Sequence, residues 1–482
     1  MIREMNPIHL NALMDYVDGQ SVTPLVKLSA SVSNPNMNEP LQQQRATSDA
    51  FLEQALAAAA RVHHTGAWRS IPFEDRALLL EQIADDLDEH LEDLALIEAL
   101  TTGTVIRQAR ALVRLVPLAF RQAAKQSRFA SKPLALSNQV TVERIPWGPV
   151  ALITPWSASS ISVAQKVASA LAAGCPVILK PSEWAPHTSG ILADVIARHD
   201  LPTGTFQLVH GSSEVGMKLI SDARIKAVSM TGGQGAGRAV ALACAAHMKP
   251  VQLELGGLNQ MIVLEDADLD AAAEGVVSAL ITLNGQWCRG MSRLLVHRSR
   301  YTALLMRVLE RLEAVTIGDS LSPDSDMGPL IHAAHLQQVL GQRDRLMAAG
   351  GIVHEPTRMP DMPGYFMEPA LITNCQPADT LDEIFGPVAT VHMFKDDAEA
   401  IKLVNRAESG VICYLYAEDE ARARAVAQAL EVTNVAINGV SLLGLHPQAP
   451  RTSWGSSGLG ESGTIETLRF FTGGRAIGIA GG

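Results

Sequence analysis

The clearest pattern in the chain is an alternation of short apolar runs with amphipathic segments, which starts near residue 148. The apolar runs cover 150–154, 177–180, 206–210, 227–231 and 251–255. Helix-like segments separate them near 160–173, 188–198, 212–221 and 235–247. Strands buried on both faces read as nearly continuous apolar runs, and strand–helix alternation favours parallel pairing. The pattern therefore predicts an α/β unit whose parallel sheet is covered by helices on both faces.

The regions on either side of this α/β unit show other patterns of apolar and polar residues. Apolar residues at helical spacing predict helices over 50–62, 73–100 and 104–126, and the polar stretch 29–49 is expected to be an extended surface segment. A second α/β region begins near 256, with elements near 260–264, 267–283, 294–297, 301–314, 332–349, 388–394 and 396–407. A minor β element is expected from 128–145 and a partner strand near 465–478. A chain of 482 residues is long enough for two or three such units.

Polar and glycine-rich stretches follow three of the predicted strands. Ligands of parallel sheets bind beyond the carboxyl ends of the strands, which is where 156–157, 180–183 and 232–237 fall. The stretch 231–238 (TGGQGAGR) fits neither of the common glycine-rich phosphate motifs, so a phosphate loop and a tight structural turn both remain open. Lys180 and Glu183 suit the two hydroxyls of a ribose, or else belong to an exposed turn.

Cys288 lies in the stretch 284–290 (NGQWCRG), where a helical pattern breaks at a glycine. Polar and glycine neighbours are unlike those of a buried core cysteine. A thiolate adds readily to an aldehyde, provided that positive charge nearby lowers the pKa of the thiol. The alternative is a small core hydrophobe, which is our interpretation of the other four cysteines.

Two glutamates, Glu254 and Glu383, are candidates for catalysis or cofactor binding. Glu254 interrupts an apolar strand, where desolvation is expected to raise its pKa and make it a general base near neutral pH. The glycines at 256 and 257 would let another group approach closely. The alternative is an edge-strand carboxylate that faces solvent. Glu383 and Phe385 suit a ribose and a nicotinamide ring, or else belong to a loop with Phe385 in the core.

Charge and composition argue against several classes of protein. The net charge of −11 argues against binding to nucleic acid or anionic membrane. Five scattered cysteines form no CxxC pair or Cys/His cluster, which predicts free thiols in a reducing compartment and no metal site. No secretory signal and no apolar run of about 20 residues is visible, so we expect a cytoplasmic protein that spans no membrane.

Eight stretches, taken together and in order, resemble the aldehyde dehydrogenase superfamily. They cover the chain from about 145 to 475, and the separation of Glu254 and Cys288, 288 − 254 = 34, is the usual one of that family. The stretches are Pro155-Trp156, 180–183 (KPSE), Thr231-Gly232, 254–257 (ELGG), 285–288 (GQWC), 383–387 (EIFGP), Asn438 and 457–463 (SGLGESG).

The resemblance implies a reaction and a fold. Cys288 would attack the aldehyde, a hydride would pass to NAD(P)+, and Glu254 would activate water to release the carboxylic acid. The fold would comprise a Rossmann-like cofactor domain (1–125 and 147–254), an α/β catalytic domain (255–455) and a small β oligomerisation element (126–146 and 456–482). Homodimers or homotetramers are expected, and a small aldehyde is the expected substrate.

The resemblance also assigns the cofactor contacts. NAD is favoured because a carboxylate at Glu183 would repel the 2′-phosphate of NADP, and NADP remains an open alternative. The expected contacts are Thr154, Pro155, Trp156, Lys180, Ser182, Glu183, Gly232, Gly233, Leu255, Glu383 and Phe385.

The chain departs from the family pattern at several positions. Ser157 stands where the family has the asparagine that stabilises the oxyanion, a donor worth about 10²–10³ in rate. This leaves open an alternative, an enzyme of the same fold with altered, non-oxidative or biosynthetic chemistry. Gly233 replaces a common serine, and Leu258 a frequent lysine. Arg289 stands where small residues are usual, and either lowers the pKa of the thiol, meets an acidic substrate group or points to solvent.

Overall fold

A computed structural model describes residues 10–130, 132–136, 139–446 and 449–479. The strands are β1 (Asp15–Val17), β2 (Gln20–Val22), β3 (Val26–Asn34), β4 (Glu39–Ala46), β5 (Leu134–Ala135), β6 (Thr141–Pro146), β7 (Val150–Ile153), β8 (Val177–Lys180), β9 (Phe206–Leu208), β10 (Ala227–Gly232), β11 (Val251–Leu255), β12 (Gln260–Val263), β13 (Arg293–His297), β14 (Ile352–His354), β15 (Ala370–Thr373), β16 (Val388–Phe394), β17 (Ile412–Tyr416), β18 (Asn434–Ile437), β19 (Arg451–Thr452), β20 (Gly458–Leu459), β21 (Glu461–Ser462) and β22 (Thr472–Ile477).

The α-helices are α1 (Asp49–Thr65), α2 (Phe73–Asp88), α3 (Leu91–Thr102), α4 (Ile106–Val113), α5 (Leu115–Ala130), α6 (Ser159–Ala173), α7 (His187–Ile196), α8 (Ser213–Ser221), α9 (Gln234–Ala245), α10 (Leu269–Ile281), α11 (Tyr301–Glu313), α12 (Ala333–Ala348), α13 (Asp397–Val404), α14 (Glu420–Gln428) and α15 (Thr464–Phe470). In the described part of the chain, no helix is long and apolar enough to cross a lipid bilayer.

The five predicted apolar runs form the centre of an eight-stranded sheet in the order β2-β1-β9-β8-β7-β10-β11-β20. Its five middle strands run parallel. The chain builds outwards from β7 through β8 to β9, then returns to place β10 on the other side of β7. The strand order thus reverses between β7 and β10, and a crevice opens beyond the carboxyl ends of such a pair.

Both faces of this sheet are covered, as the apolar runs predict. On one face, α2, α5 and α6 pack around Trp68, Phe120 and Phe471, all of which are buried. On the other face, a second cluster combines residues of α1, α8 and α9 with the strands. The predicted α/β class with a parallel sheet is confirmed.

The second α/β region forms a seven-stranded sheet in the order β14-β15-β16-β13-β12-β17-β18. Six of these strands are parallel, and β14 is antiparallel at the edge. Separate apolar clusters lie on its two faces. The strands β14, β15, β17 and β18 were not among the predicted elements.

A three-stranded antiparallel sheet, β22-β6-β5, joins the two segments predicted to form the minor β element. The segment predicted as one strand near 465–478 divides into α15 and β22. From the same C-terminal stretch, β20 pairs with β11 and extends the first sheet. The predicted units also include 1–9 and 480–482, which lie outside the described residues.

Three other predictions need correction. The segment 73–100 forms two helices, because the backbone leaves the helix at His90 (φ −104°, ψ 9°). The segment 104–126 also forms two helices, α4 and α5, on either side of Arg114. The polar stretch 29–49 pairs β3 with β4 in a hairpin, because strand pairing satisfies its backbone polar groups even where apolar side chains are few.

The N-terminus of α6 is capped by a buried glutamate from another helix. The Glu98 carboxylate accepts hydrogen bonds from the backbone N–H of Ser159 (2.8 Å), the backbone N–H of Ser160 (3.3 Å) and the hydroxyl of Ser160. Burial raises the pKa of Glu98. The cap follows directly on the turn at Ala158 (φ 46°), so it fixes the direction in which the chain leaves β7.

Replacing Glu98 should therefore destabilise the protein. We expect Glu98→Ala to lower the free energy of unfolding by about 1–3 kcal/mol, because it leaves buried N–H donors unsatisfied. Glu98→Gln should cost less, since its carbonyl still accepts. Urea unfolding followed by fluorescence measures both, with the exposed helix residue Glu310→Ala as the control. A midpoint for Glu98→Ala equal to that of the control would contradict the capping role.

Candidate active site

All fourteen residues predicted for the site line one cavity of about 1170 Å³. The first sheet contributes residues at or just beyond the carboxyl ends of β7, β8, β10 and β11. The second sheet contributes Cys288, ahead of β13, and Glu383 and Phe385, ahead of β16. The cavity thus lies between the carboxyl edge of one sheet and the amino edge of the other. Among the described residues, no cluster of three or more His, Cys, Asp or Glu side chains is arranged to hold a metal ion.

The loop before Cys288 has an unusual backbone. Leu283, Asn284 and Gly285 all have positive φ angles, of 50°, 57° and 71°. At Gly285 a Cβ atom would lie 2.3 Å from the carbonyl carbon of Gly386, so only glycine fits. This left-handed stretch ends α10 and turns the chain towards the cavity.

Two asparagines hold this loop in place. The Asn284 side chain donates to the carbonyls of Gly103 (2.7 Å) and Pro329 (2.9 Å). Asn259 donates to the carbonyls of Cys288 (2.8 Å) and Gly290 (3.0 Å), and accepts from two backbone N–H groups at the start of β17. The backbone on both sides of the thiol is therefore clamped by side-chain amides.

Cys288 is a free thiol open to the cavity, whereas Cys175, Cys244 and Cys413 are buried. Its position deep between the two sheets desolvates it, and this burial raises the pKa of the thiol. Arg289 and Arg451 act in the opposite direction, and Glu254 and Glu383 add to the rise. The lowered thiol pKa that nucleophilic attack requires is therefore not reached in this arrangement, because desolvation outweighs the two arginines.

Glu254 is the most heavily compensated carboxylate of the site. It lies on an inner strand between β10 and β20, which excludes the edge-strand alternative. Its Oε2 accepts from Lys166 Nζ (2.6 Å) and from the Thr231 hydroxyl (2.9 Å), and its Oε1 lies 3.4 Å from Arg451 Nη2.

The expected rise in the pKa of Glu254 is wrong. Burial does raise the pKa, but the charges of Lys166 and Arg451 and the hydrogen bonds outweigh it and hold the pKa far below the ordinary range. Glu254 is therefore ionised at neutral pH and, in this arrangement, a weak base.

The glycine pair after Glu254 does admit another group, as predicted, and that group is Glu383. Its Oε1 accepts from the backbone N–H of Gly257 at 3.0 Å. A Cβ at Gly256 would lie 2.3 Å from the Glu383 carboxylate. Burial raises the pKa of Glu383 to about 7, and the Gly257 N–H only partly offsets this. Glu383 therefore changes protonation near neutral pH.

The strand-end residues fit a dinucleotide. Lys180 is buried, not in an exposed turn, and its Nζ donates to the Pro181 carbonyl (2.9 Å) and lies 3.7 Å from Glu183 Oε2. The glycine-rich stretch opens α9 at the cavity wall, and no side chain caps its first N–H groups at Gly233. Free N–H groups at a helix N-terminus suit a pyrophosphate.

Two glycines of this stretch have different roles. A Cβ at Gly233 would meet nothing within 4 Å, whereas one at Gly237 would lie 2.5 Å from Leu255. The first leaves room for a ligand, and the second lets α9 pack against β11. Across the cavity, the rings of Trp156 and Phe385 meet edge to face at 5.6 Å.

Three side chains of the site were missed by sequence reasoning. Lys166 is a buried lysine in a helix whose other residues, except the exposed Gln165, are apolar or small, and that contrast was the available signal. Arg451 lies on β19, about 200 residues from Glu254, and no local pattern marks it. His335 lines the cavity, and its Nε2 lies 2.8 Å from the Phe385 carbonyl oxygen. Arg289, which had three open interpretations, lies 4.8 Å above the Trp287 ring and donates to the Leu442 carbonyl.

Comparisons with known proteins agree with this geometry. The model of the aldehyde dehydrogenase family matches residues 26–477. An aspartate-semialdehyde dehydrogenase (non-phosphorylating) of Halomonas elongata is 35% identical, with 83% of this chain and 82% of that protein covered. A glutarate-semialdehyde dehydrogenase of Pseudomonas aeruginosa is 32% identical, with 93% and 94% covered.

A solved structure shows the same fold. The crystal structure of betaine aldehyde dehydrogenase from Staphylococcus aureus in complex with NAD+ superposes with a TM-score of 0.91 at 28% identity, covering 97% of this chain and 94% of that one. The family model spans nearly the whole chain, and the relatives match it over most of their own length. The chain therefore belongs to the aldehyde dehydrogenase family and is an NAD(P)-dependent aldehyde dehydrogenase.

Proposed function

We propose that Cys288 is the nucleophile of the aldehyde oxidation and that Glu254 is the general base of acid release. The observation that carries this proposal is the convergence of an open thiol and a compensated carboxylate on one cavity, beside strand ends that suit a dinucleotide. Each of these side chains comes from a different element, so chance proximity is a poor explanation for the set.

In the first step, the Cys288 thiolate forms a bond to the aldehyde carbon. The carbonyl oxygen takes up the negative charge, and we propose the Ser157 hydroxyl and the Cys288 backbone N–H as its hydrogen-bond donors. Arg289 and Arg451 favour the thiolate over the thiol, because they oppose the desolvation.

The cofactor contacts follow from the same cavity. We propose that Lys180, Ser182 and Glu183 bind the adenosine ribose. The pyrophosphate is assigned to Gly232 and Gly233. The nicotinamide ribose is assigned to Glu383. The nicotinamide end is assigned to Thr154, Pro155, Trp156, Leu255 and Phe385. The chemistry that bound NAD(P)+ supplies is acceptance of a hydride from the adduct on Cys288. Glu183 favours NAD over NADP because its carboxylate would repel a 2′-phosphate.

In the last step, water attacks the thioester and Glu254 accepts its proton. A carboxylate held by Lys166 and Arg451 is always available in the ionised form, but it is a weak base while both cations remain in place. The acid leaves, and the thiolate of Cys288 is restored.

Replacing the thiol should abolish turnover. We expect Cys288→Ala to eliminate NAD(P)H formation from any aldehyde, while Cys375→Ala, at a half-buried thiol away from the cavity, stays close to wild type. The measurement is NAD(P)H absorbance with NAD+ or NADP+ and a panel of aliphatic, aromatic and acidic aldehydes. Turnover by Cys288→Ala would contradict the proposed nucleophile.

The same assay tests the alternative with altered chemistry. Ser157→Asn should raise kcat by about tenfold or more if a better oxyanion donor is what oxidation lacks. A wild type that is silent while Ser157→Asn turns over would mean that the natural reaction is not simple oxidation. A wild type that is as fast as Ser157→Asn would show that the serine suffices.

The lysine beside Glu254 should control the pH dependence. Lys166→Gln removes the nearest cation, so the burial of Glu254 is then opposed mainly by Arg451, and the pKa of Glu254 should rise into or above the ordinary range. Because the base acts only when ionised, the acid limb of the kcat profile should move to higher pH. The pH profile measures this, with the surface lysine Lys218→Gln as the control. Identical acid limbs in Lys166→Gln and wild type would contradict the role of Glu254.

We propose that the chain assembles as a homodimer or homotetramer through the sheet β22-β6-β5. Large apolar side chains are exposed on or beside this sheet, including Leu134 (61%), Leu136 (51%) and Ile477 (47%). A cluster of exposed apolar groups on a small sheet with two open edges favours a second copy as its partner.

The unpaired thiols also support a reducing, cytoplasmic location.

A charged double variant tests the assembly. Leu134→Glu with Leu136→Glu should lower the mass measured by light scattering, because burying two carboxylates in an apolar interface is unfavourable. Met306→Glu, at an exposed methionine of α11, is the matched control and should leave the mass unchanged. A monomeric wild type, or an unchanged mass in the double variant, would contradict this interface.

A further inference from the structure

The charges around Cys288 do not balance. Arg289 and Arg451 both act on the thiol, opposed by Glu254 and Glu383. Glu254 has a closer partner in Lys166, at 2.6 Å, and Glu383 is protonated in part at neutral pH because burial raises its pKa to about 7. The two arginines therefore leave an excess of positive charge beside the reacting sulfur.

Arg289 is held in position, and among the described residues it forms no ion pair. Its Nη2 donates to the Leu442 carbonyl at 2.7 Å, and its guanidinium lies 4.8 Å from the centre of the Trp287 ring. A carbonyl and an aromatic face orient a guanidinium but carry no opposing charge. The bond to Leu442 uses one of five N–H groups, which leaves donors for a ligand.

The ion pair of Arg451 with Glu254 is weak, so Arg451 can leave Glu254 and bind a substrate group instead. Its Nη2 lies 3.4 Å from Glu254 Oε1, and its side chain is 43% exposed. Exposed ion pairs at this distance contribute little free energy. The other oxygen of Glu254 is held by Lys166 and Thr231, so Glu254 stays anchored if Arg451 leaves.

The two cations favour the thiolate whatever aldehyde is bound, but a neutral aldehyde offers neither of them an opposite charge, and a cationic aldehyde is repelled by both. A carboxylate matches the fork of N–H donors on a guanidinium and compensates its charge. On the basis of the proposed function, we propose that the natural substrate is an aldehyde that carries a carboxylate, which Arg289 and Arg451 bind beside Cys288.

Binding of that carboxylate has a consequence for the base. When Arg451 turns from Glu254 to the substrate, Glu254 loses one of the two cations that lower its pKa. Glu254 then becomes a stronger base while an acidic aldehyde occupies the site. Arg451 is thus both a specificity-determining residue and a positioning residue for Glu254.

The first experiment needs no turnover. Iodoacetate and iodoacetamide alkylate thiols by the same reaction and differ in one negative charge. The full-length protein is labelled with each, and the rates at Cys288 are read by peptide mass spectrometry, with free glutathione as the reference thiol. Because a change in the pKa of the thiol alters both rates equally, their ratio reports the charge of the subsite.

We expect the ratio of the iodoacetate rate to the iodoacetamide rate to be several-fold higher at Cys288 of the wild type than at glutathione. Moderate salt should lower the ratio at Cys288. Arg289→Gln and Arg451→Gln should each move the ratio towards that of glutathione, and Arg424→Gln, at an exposed arginine of α14, should not. A wild-type ratio no higher than that of glutathione, or ratios unchanged in both variants, would overturn the proposal.

The second experiment compares 4-oxobutanoate with butanal, two aldehydes of equal chain length. We expect a higher kcat/KM for the oxo acid. Arg289→Gln and Arg451→Gln should lower that value by about tenfold or more, mainly through KM, with a much smaller change for butanal. Equal kcat/KM for both aldehydes in wild type overturns the carboxylate subsite and leaves aldehyde oxidation standing. If neither aldehyde is oxidised, the proposed function fails, and the labelling ratio still decides the subsite.

Discussion

The parallel hydrogen bonding of β7, β8, β10 and β11 is the constraint on which the whole site depends. Parallel strands in register place all their carboxyl ends on one edge, and the chain leaves each strand at that edge. The turns that follow therefore lie side by side although they are far apart in sequence. The second sheet presents its amino edge to the same cavity, which is how a thiol ahead of β13 comes to face a carboxylate on β11.

A carboxylate on an inner strand has to be compensated, and the way in which this happens links three parts of the fold. Lys166 reaches Glu254 from α6, Thr231 from the neighbouring strand, and Arg451 from the C-terminal β19. This arrangement keeps Glu254 ionised and limits its strength as a base. Of the two cations, Arg451 has the weaker hold on Glu254, and in the mechanism that we propose it is the one that loosens.

The family reaction and the particular properties of this chain rest on different residues. Cys288, Glu254 and the strand-end residues carry the resemblance to the family. The chain also matches the family model, and its fold matches the solved structure with NAD+. Ser157 and Arg289 depart from that pattern, and Arg451 joins them beside the reacting atoms. One relative is named for glutarate semialdehyde, which carries a carboxylate, and a solved structure of the same fold is named for betaine aldehyde, which carries a quaternary ammonium. Charge near the thiol is a direct physical means of choosing between them.

The sequence by itself determined the α/β class and the five inner strands of the first sheet, and it predicted fourteen residues that all line the cavity. Apolar periodicity and motif order are local signals, and each of these features leaves one. The pKa of Glu254 and of Cys288, the breaks within 73–100 and 104–126, and the partnership of Arg451 with Glu254 were decided only in the tertiary structure. These depend on which charges and surfaces meet across hundreds of residues, and electrostatic energy is set by distance in space, not by separation along the chain.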